Sequence, residues 1–335
     1  MLYSIFKFKV NINLNQTIVT SGNRKAFDYL ENFISSIPNI DDATINRMRR
    51  KLPKKFEFVG DVLMIPLDTF NCNEWEILLE KGNGTTFWSG LAECFGLSRV
   101  ARKSKIDSGP KRESNVMLLL PPAGQPQETG PSSPGWVTVT ENCIQYSFDI
   151  TRVMFCSGNI TEKMRMAKES CEGQIVVDLY CGIGYYTLPF LIHGNAAHVH
   201  ACEWNCNSVL ALTENFKNNK VNSDRYSIYE NDNRITAPKL RNVADRICLG
   251  LLPSSEQGWP LAALVLKHSG GILHVHENVN DDKIEQFSEY LLNSLGKLFH
   301  NEGKNFNIKI IKIEKVKSYA PHVLHIVFDV LCIPF

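Results

Sequence analysis

The chain has 335 residues, of which 44% are hydrophobic and 21% charged, and its formal net charge is +1. These values are typical of a globular protein with two domains and exclude a disordered chain. A net charge this small does not predict a nucleic-acid partner, so any evidence for nucleic-acid binding must come from local clusters of basic residues. No apolar run is long enough to span a membrane. The apolar start is interrupted by Lys7 and Lys9 and lacks a small-residue cleavage site, so we expect no secretory signal.

The first 120 residues predict a small α+β domain. Apolar spacing favours helices at residues 25–37, 75–79 and 87–97, and strands at residues 58–66 and 116–120. We therefore expect residues 1–120 to fold as a small substrate-binding domain.

Two basic clusters lie in this first domain. Their members are Arg47, Arg49, Arg50, Lys51, Lys54 and Lys55, and then Arg99, Arg102, Lys103, Lys105, Lys111 and Arg112. Charge runs commonly form solvated faces, and that alternative stays open. Two such clusters in one small domain nevertheless favour an RNA substrate, because lysine and arginine side chains bind phosphates.

A segment rich in proline, glycine and serine separates the two halves of the chain. It has almost no large apolar side chains, so we predict a flexible loop over residues 121–135. Residues 136–140 and 144–149 then predict a β-hairpin. The second domain is expected to cover residues 136–335.

Strands and helices alternate from residue 174 onward. Strands are predicted at residues 174–179, 198–202, 226–230, 246–251 and 271–276, with helices at 187–193, 208–218, 257–268 and 281–300. Two further strands, residues 306–316 and 323–330, are too close for a helix between them and should pair antiparallel. This order predicts an α/β, Rossmann-like, doubly wound sheet with a reversed edge, the architecture of class I S-adenosylmethionine (SAM)-dependent transferases.

A glycine-rich turn follows the first of these parallel strands. Asp178 ends the strand, and Gly182 and Gly184 allow a tight turn into a helix. Dinucleotide sites have a third glycine, where this chain has Thr187. Glu203 follows Gly182 by about 20 residues and suits a ribose, while Asp178 suits a ligand ammonium. The pattern favours SAM over NAD, and a purely structural turn is the alternative.

The next strand ends add further candidates. Asp232 and Asn233 follow the third strand, where a carboxylate and an amide suit an adenine amino group. A solvated turn is the alternative for both. The fourth strand leads into residues 250–255, which we expect to lie nearest the transferred group, since ligands bind beyond the carboxyl ends of such strands.

A block upstream of the sheet, residues 154–163, offers a positive charge. We expect Asn159 or Thr161 to cap a helix that runs through Met166. Lys163 would then lie on its first turn and face the cofactor carboxylate. A solvated lysine is the alternative.

The ten cysteines are scattered, and several lie within apolar, strand-like runs, as Cys248 and Cys332 do. Reduced, buried thiols in a cytoplasmic protein are therefore expected. A metal site formed by Cys181, Cys202 and Cys206 is disfavoured, because no Cys-x-x-Cys pair or histidine partner accompanies them. We expect no metal.

Five segments together resemble the tRNA wybutosine-synthesising protein 2 family, which is similar to the tRNA guanine-37 N1-methyltransferases. They read MFCSGNITEKMR, VVDLYCGIGYYTLPF, HACEWN, NDNR and GLLPSSEQGWP. The resemblance covers roughly residues 60–330. It implies transfer of the 3-amino-3-carboxypropyl group of SAM to a carbon of 4-demethylwyosine in the anticodon loop of phenylalanine tRNA. It also implies ligand contacts by Lys163, Glu203, Asp232 and Asn233.

The chain departs from the family pattern in two places. The family has a serine seven residues before its lysine, where this chain has Cys156, with Ser157 beside it as a substitute. The first 40 residues show no match to the family. An inactive binding protein that keeps the SAM fold is therefore one alternative.

A SAM-dependent tRNA methyltransferase is the second alternative. The related guanine-37 enzymes have an Asn-Pro-Pro-Tyr-type segment after the fourth strand and an arginine in the upstream block. This chain has Gly-Leu-Leu-Pro from Gly250 and Cys-Ser-Gly-Asn from Cys156 instead, which disfavours methylation of guanosine. In the favoured mechanism, Lys163 pairs with the methionine carboxylate and turns the γ-carbon, rather than the methyl group, towards the base. No side chain is an obvious general base.

Overall fold

The computed structural model describes residues 12–80, 84–104, 109, 113–121 and 129–335, without the side chains of residues 12–20 and Ser157. The chain divides into two compact units, Met1–Thr138 with Ile150–Arg152, and Val139–Asp149 with Val153–Phe335. Within the described ranges, no helix combines the length and the apolar character that a membrane crossing requires. Part of the predicted loop, residues 122–128, lies outside the described residues.

The first unit combines helices with a four-stranded sheet, which confirms the predicted α+β class. Its elements are α1 Ile12–Ser35, α2 Asp42–Arg50, β1 Glu57–Val59, β2 Val62–Ile65, α3 Asn73–Leu78, α4 Gly84–Glu93, β3 Arg99–Arg102 and β4 Met117–Leu120. The strand order is β1-β2-β3-β4, with only the β2–β3 pair parallel among them. Helix α1 begins well before the predicted residue 25, because its first residues are mostly polar and give no amphipathic signal.

Aromatic side chains fill the core of this unit. Trp75 and Phe87 are almost fully buried, and Phe70 and Trp88 pack on them edge to face with ring centroids 4.8–5.0 Å apart. The indole N–H of Trp75 donates a hydrogen bond to the carbonyl of Met48 at 3.2 Å, so its one polar atom is satisfied. The core fixes α3 and α4 against the sheet.

The second unit contains the predicted parallel sheet, preceded by a hairpin of β5 Trp136–Glu141, whose first residues belong to the first unit, and β6 Ile144–Asp149. Its further helices are α5 Ile160–Met166, α6 Thr187–Ile192, α7 Cys206–Asn218, α8 Asn233–Thr236, α9 Trp259–Val265 and α10 Ile284–Asn301. The sheet strands are β7 Ile175–Asp178, β8 His198–Glu203, β9 Tyr226–Glu230, β10 Arg246–Leu249, β11 Gly271–Asn280, β12 Phe306–Ala320 and β13 Val323–Pro334.

The seven strands lie in the order β12-β13-β11-β10-β7-β8-β9. Strands β7 to β11 pair in parallel, and β13 pairs antiparallel with both β11 and β12. Strand order reverses at β7 and β10, so the carboxyl ends of these two strands flank the crevice where doubly wound sheets bind ligands.

The last strand, β13, is antiparallel to both of its neighbours, which confirms the predicted antiparallel pair at the end of the chain. The reversed strand β13 is internal, and β12 forms the edge. Residues 325–330 of β13 are all buried, whereas β12 exposes Ile311 and Ile313. A strand that is buried on both faces is stabilised most by neighbours on both sides, so β13 takes the inner position.

Candidate functional site

Glu203, at the end of β8, holds the glycine turn that follows β7. Its carboxylate accepts three backbone N–H hydrogen bonds, from Gly182 at 2.9 Å, Trp204 at 2.9 Å and Asn205 at 2.8 Å. Burial raises the pKa of Glu203, while these three bonds favour its ionised form. Gly182 has φ of 56°, a left-handed conformation that suits glycine. The structure therefore brings Gly182 and Glu203 together at the carboxyl end of the sheet.

Asp178 lies beneath this turn and is fully buried. Its carboxylate accepts a hydrogen bond from the hydroxyl of Thr187 at 2.8 Å, which fixes the start of α6. Burial raises the pKa of Asp178 to about 7. Thr187 replaces the third glycine of dinucleotide sites, and its hydroxyl makes a contact that glycine lacks. The contact of Asp178 with a ligand ammonium stays a prediction.

Asp232 and Asn233 lie at the start of α8. Asp232 caps this helix by accepting the backbone N–H of Arg234 at 2.9 Å, and it also forms an ion pair with the Arg234 guanidinium. The hydrogen bonds from Arg234 lower the pKa of Asp232. The amide of Asn233 donates to the carbonyl of Leu179 at 2.9 Å, which ties α8 to the end of β7. Both predicted residues therefore border the same crevice as the glycine turn.

Lys163 lies on α5 and is only 3% exposed. Its ammonium forms an ion pair with Glu141 and donates to the carbonyl of Cys156 at 3.4 Å. The prediction of a helix that runs through Met166 with Asn159 as its N-cap residue is confirmed in position, but the Asn159 side chain does not cap the helix. Asn159 occupies the N-cap position with ψ of 16°, outside the extended region, and makes no capping hydrogen bond.

Three aromatic rings surround the Lys163 ammonium, and we call them the aromatic cage. Its nitrogen lies 5.3 Å from the ring centroid of Tyr146, 5.1 Å from that of Phe155 and 5.4 Å from that of Tyr185. Such distances allow cation–π attraction. Tyr185 belongs to the glycine turn, so the cage joins the upstream block to the turn that contains Gly182.

Glu141 and the aromatic cage contact Lys163 and were not predicted from the sequence. Glu141 ends β5, and the hairpin is held on α7 by two asparagines. Asn215 accepts the backbone N–H of Ser147 at 2.6 Å, and Asn219 accepts that of Gln145 at 2.9 Å. No local pattern links Glu141 to Lys163, because the two residues are brought together only by this packing.

Cys156, which replaces the serine of the family pattern, also borders Lys163. Its backbone N–H donates to the Tyr185 hydroxyl at 3.4 Å, and its thiol accepts from the ammonium of Lys317 at 3.5 Å. The side chain of Ser157 lies outside the described part of the structure. The backbone of Cys156 therefore helps to position Lys163, and this contact does not depend on the Cys156 side chain.

The segment after β10 is fixed to the end of β11. Ser255 donates to the Glu277 carboxylate through its backbone N–H at 2.8 Å and its hydroxyl at 2.9 Å. Burial raises the pKa of Glu277 to about 7. The backbone N–H of Asn278 donates to the carbonyl of Pro253 at 2.8 Å. These bonds hold the segment at the carboxyl ends of the strands, as its expected role requires.

A buried ionic network fixes α5 on the sheet. Arg165 donates to Glu162 at 2.7 Å and to Asp329 at 2.5 Å, and His274 lies 2.6 Å from Asp329. The second ring nitrogen of His274 is 2.8 Å from the Arg246 guanidinium. Although burial opposes it, the His274 and Arg165 hydrogen bonds hold the pKa of Asp329 well below its usual value. The network positions the helix that carries Lys163.

The basic clusters are partly neutralised in the first unit. Arg47 pairs with Glu74, Arg49 with Glu31 and Lys55 with Glu57. Of the second cluster, Arg99 pairs with Asp61, Lys103 pairs with Glu57, and Arg102 donates to the carbonyl of Thr69 at 2.7 Å. Lys105, Lys111 and Arg112 lie outside the described residues. The three described residues of the second cluster are thus engaged within the unit, which leaves Arg50, Lys51 and Lys54 as the better phosphate ligands.

All ten cysteines are free thiols. In the part of the chain that the structure describes, no three histidine, cysteine, aspartate or glutamate side chains are arranged to hold a metal ion. The expected site residues are thus acids, amides and one lysine around a crevice at the sheet end. Such a set binds a zwitterionic nucleoside through its ribose, base and amino-acid groups.

Comparisons with known proteins agree with this geometry. Residues 137–300 match the family model described as the TRM5/TYW2 methyltransferase domain. The tRNA wybutosine-synthesizing protein 2 homolog of Homo sapiens is 38% identical, and the match covers 84% of this chain and 70% of that protein. The tRNA wybutosine-synthesizing protein 2/3/4 of Oryza sativa is 40% identical over 86% of this chain, which spans only 26% of that longer protein.

A solved structure carries the same fold. P. horikoshii TYW2, determined in complex with MeSAdo, is 28% identical and superposes with a TM-score of 0.69 over 92% of this chain and 99% of that one. The predicted class I SAM-dependent transferase fold is therefore confirmed. With the identity and coverage of the human relative, these matches show that the chain belongs to the tRNA wybutosine-synthesizing protein 2 family.

Proposed function

We propose that this chain transfers the 3-amino-3-carboxypropyl group of SAM to 4-demethylwyosine at position 37 of phenylalanine tRNA. The observation that carries the proposal is the buried Lys163 ammonium, held in the aromatic cage beside the glycine turn. A fixed cation at this place suits the carboxylate of the methionine moiety. Membership of the wybutosine-synthesizing family supports the choice of acceptor.

The residues at the sheet end fit SAM when they are taken one by one. Glu203 suits the ribose hydroxyls, Asp232 and Asn233 suit the adenine, and Gly182 allows close approach of the backbone. Lys163 suits the carboxylate, and Asp178 lies beneath the turn for the ammonium. Cys156 and Ser157 complete the proposed set beside Lys163. The buried Oδ1 of Asn159, which has no hydrogen-bond partner among the described residues, is a further free acceptor here.

The sulfonium of bound SAM makes its three attached carbons electrophilic, so the protein decides the outcome by positioning. Lys163 cannot swing freely, because Glu141, the Cys156 carbonyl and three rings restrain its ammonium. A restrained cation holds a carboxylate in one orientation and thereby directs the carboxyl-bearing chain. Lys163 thus selects which carbon faces the acceptor.

Transfer of radioactivity tests the proposal. The chain is incubated with SAM labelled at the carboxyl carbon and with phenylalanine tRNA that carries 4-demethylwyosine. We expect label in the tRNA, and we expect no transfer from SAM labelled at the methyl group. Methyl label in the tRNA would instead favour a tRNA methyltransferase. If neither label reaches the tRNA, the proposal fails and an inactive binding protein is favoured.

Replacing Glu203 by glutamine is expected to weaken SAM binding by about 10- to 100-fold. The change removes the charge and replaces one of the two acceptor oxygens that serve the glycine turn and the ribose with an NH₂ donor, and hydrogen bonds to charged groups contribute about 1.5–3 kcal/mol. Isothermal titration calorimetry with SAM measures the effect. Glu230→Gln, on the exposed end of the neighbouring strand, is the matched control and should leave affinity unchanged. Equal affinities of the two variants would contradict the role of Glu203.

The proposal extends to the partner and the compartment. Arg50, Lys51 and Lys54 of the first unit are proposed to bind phosphates of the tRNA anticodon loop. Ten free thiols match a reducing compartment, which supports a cytoplasmic location. Competition between labelled tRNA and a free anticodon stem-loop checks whether the chain binds the anticodon loop.

A further inference from the structure

Three side chains at the ends of β11 and β13 carry buried polar atoms without a hydrogen-bond partner among the described residues. They are Nε2 of His276, Nδ1 of His325, and both amide atoms of Asn278. His276 is 1% exposed and His325 is 0% exposed. A buried donor or acceptor that stays unpaired costs its full desolvation, so such a cluster indicates groups that a ligand satisfies.

The two histidines form one hydrogen-bonded unit, which we call the histidine pair. Nδ1 of His276 and Nε2 of His325 are 3.1 Å apart. His325 lies opposite Asn278 in the ladder between β11 and β13, so the three side chains share one face of the sheet. The free ring nitrogens are therefore the two outer ends of the pair.

Both ends of the histidine pair are linked to the proposed transfer site. The His276 ring lies 4.9 Å from the ring of Tyr186, the neighbour of Tyr185 in the aromatic cage. A methyl group placed on Gly250, at the exit of β10, would lie 3.2 Å from that Tyr186 ring. Tyr186 is thus a common neighbour of His276 and of Gly250, the first residue of the segment expected nearest the transferred group.

The His325 end of the pair is linked to the proposed transfer site through Lys317, which lies opposite His325 in the ladder between β12 and β13. The Lys317 ammonium lies 3.5 Å from the Cys156 thiol, and the Cys156 carbonyl accepts a hydrogen bond from the Lys163 ammonium. The turn Ser157–Asn159 packs against β12, which carries Lys317. Asn159 Oδ1 is a further buried acceptor without a partner in the described ranges. Buried polar atoms without a partner among the described residues therefore lie both beside the turn Ser157–Asn159 and on strands β11 and β13.

Burial disfavours the charged form of both histidines in the pair. Burial lowers the pKa of His276, and His325, His274 and Arg165 add to the effect while Asp329 opposes it. Burial and Lys317 lower the pKa of His325 to about 4. Two neutral rings that share one proton present a lone pair at one end and an N–H at the other. Such a unit takes up a proton at one end and releases one at the other.

We propose that His276 accepts the proton that the acceptor base loses, and that His325 passes a proton onward. The inference rests on the proposed function, because only substitution at a ring carbon releases a proton from carbon. It assigns the general base that the sequence did not reveal.

A carbon–carbon bond forms between the acceptor ring carbon and the γ-carbon, and the electron pair of the γ-carbon–sulfur bond passes to sulfur, which leaves as a neutral thioether. The ring carbon then loses its hydrogen as a proton to Nε2 of His276, and the C–H electron pair restores the aromatic ring. Nδ1–H of His276 passes its proton to Nε2 of His325. Nδ1–H of His325, which is buried in the structure, releases its own proton to solvent when product release opens the site.

Two variants test the histidine pair, His276→Gln and His325→Gln. Glutamine keeps hydrogen-bonding capacity but cannot transfer a proton. In single-turnover reactions, we expect His276→Gln to slow transfer by about 10²- to 10⁴-fold. The dissociation constant for SAM and the melting temperature should match those of the unmodified chain. His322→Gln, whose side chain is 86% exposed, is the control and should react normally.

A deuterated acceptor separates proton removal from structural support. With deuterium on the reacting carbon, the variants should show a primary isotope effect that the unmodified chain does not, since proton removal becomes rate-limiting. A His276→Gln rate within about threefold of the unmodified chain, a slowed rate without an isotope effect, or a loss of SAM affinity equal to the loss of rate would each overturn the proposal.

Nuclear magnetic resonance of the ¹⁵N-histidine-labelled chain gives a readout that does not depend on turnover or on variant folding. We expect two neutral, coupled rings at pH 7 whose signals shift when the acceptor tRNA binds. A protonated pair, or signals that do not move, would overturn the proposal. An unmodified chain that transfers no carboxyl label would instead refute the proposed function, a result distinct from any that concerns the histidine pair.

Discussion

Replacing Lys163 by methionine is expected to slow aminocarboxypropyl transfer by about a hundredfold to a few thousandfold. Lys163 is buried, and in the proposed complex its removal leaves the SAM carboxylate without its cation in a buried site, which costs about 3–5 kcal/mol. Each 1.4 kcal/mol corresponds to a factor of ten, which gives the stated range. Methionine keeps the unbranched stem that the aromatic cage contacts, so the change removes the charge with little loss of packing. The single-turnover rate with carboxyl-labelled SAM measures the effect.

A double variant controls for folding. Lys163→Met alone leaves the Glu141 carboxylate buried without its cation, and this could destabilise the hairpin as well as the site. Lys163→Met combined with Glu141→Gln removes both charges, so its melting temperature should return towards that of the unmodified chain. Its transfer rate should stay low. Recovery of transfer in the double variant would show that Lys163 acts only as the partner of Glu141.

Replacing Arg165 by methionine is expected to destabilise the chain by about 3–5 kcal/mol, because two buried carboxylates lose their shared cation. Glu162 is 1% exposed and Asp329 is 4% exposed, so neither is solvated when the guanidinium is removed. Denaturant titration of the full chain measures the free energy of unfolding. Arg241→Met is the matched control, because the Arg241–Glu302 pair is exposed and should contribute at most about 1 kcal/mol.

The loss of stability in Arg165→Met should depend on pH. The pKa of Asp329 is held low in the folded chain, so its contribution is present above the unfolded value of about 4 and is lost as pH falls through the folded pKa. The difference between the unmodified chain and Arg165→Met should therefore be larger at pH 7 than at pH 3. An equal difference at both pH values would contradict the charge network as its cause.

The sheet and its cofactor turn could be predicted from the sequence because their signals are local. A buried strand, two glycines and an acid about 20 residues later lie within one short stretch around Gly182 and Glu203. The parallel strands are apolar on both faces, and the helices between them have a 3.6-residue period. Each of these patterns can be recognised from neighbouring residues alone.

Other parts of the site depend on contacts between distant residues. Glu141 pairs with Lys163 only because Asn215 and Asn219 hold the hairpin on α7. The histidine pair likewise forms across the β11–β13 ladder, between residues 49 positions apart. The inner position of β13 depends on its pairing with both β11 and β12. Long-range packing decides these features, and a single sequence does not show it.

The identity of the small-molecule product tests the central claim most directly. Transfer of the aminocarboxypropyl group leaves the methyl group on sulfur, so the nucleoside released is 5′-methylthioadenosine. Transfer of the methyl group would release S-adenosylhomocysteine instead. After incubation of the chain with SAM and phenylalanine tRNA carrying 4-demethylwyosine, mass spectrometry should detect 5′-methylthioadenosine in an amount equal to the modified tRNA. S-adenosylhomocysteine as the product formed with the tRNA would contradict the account.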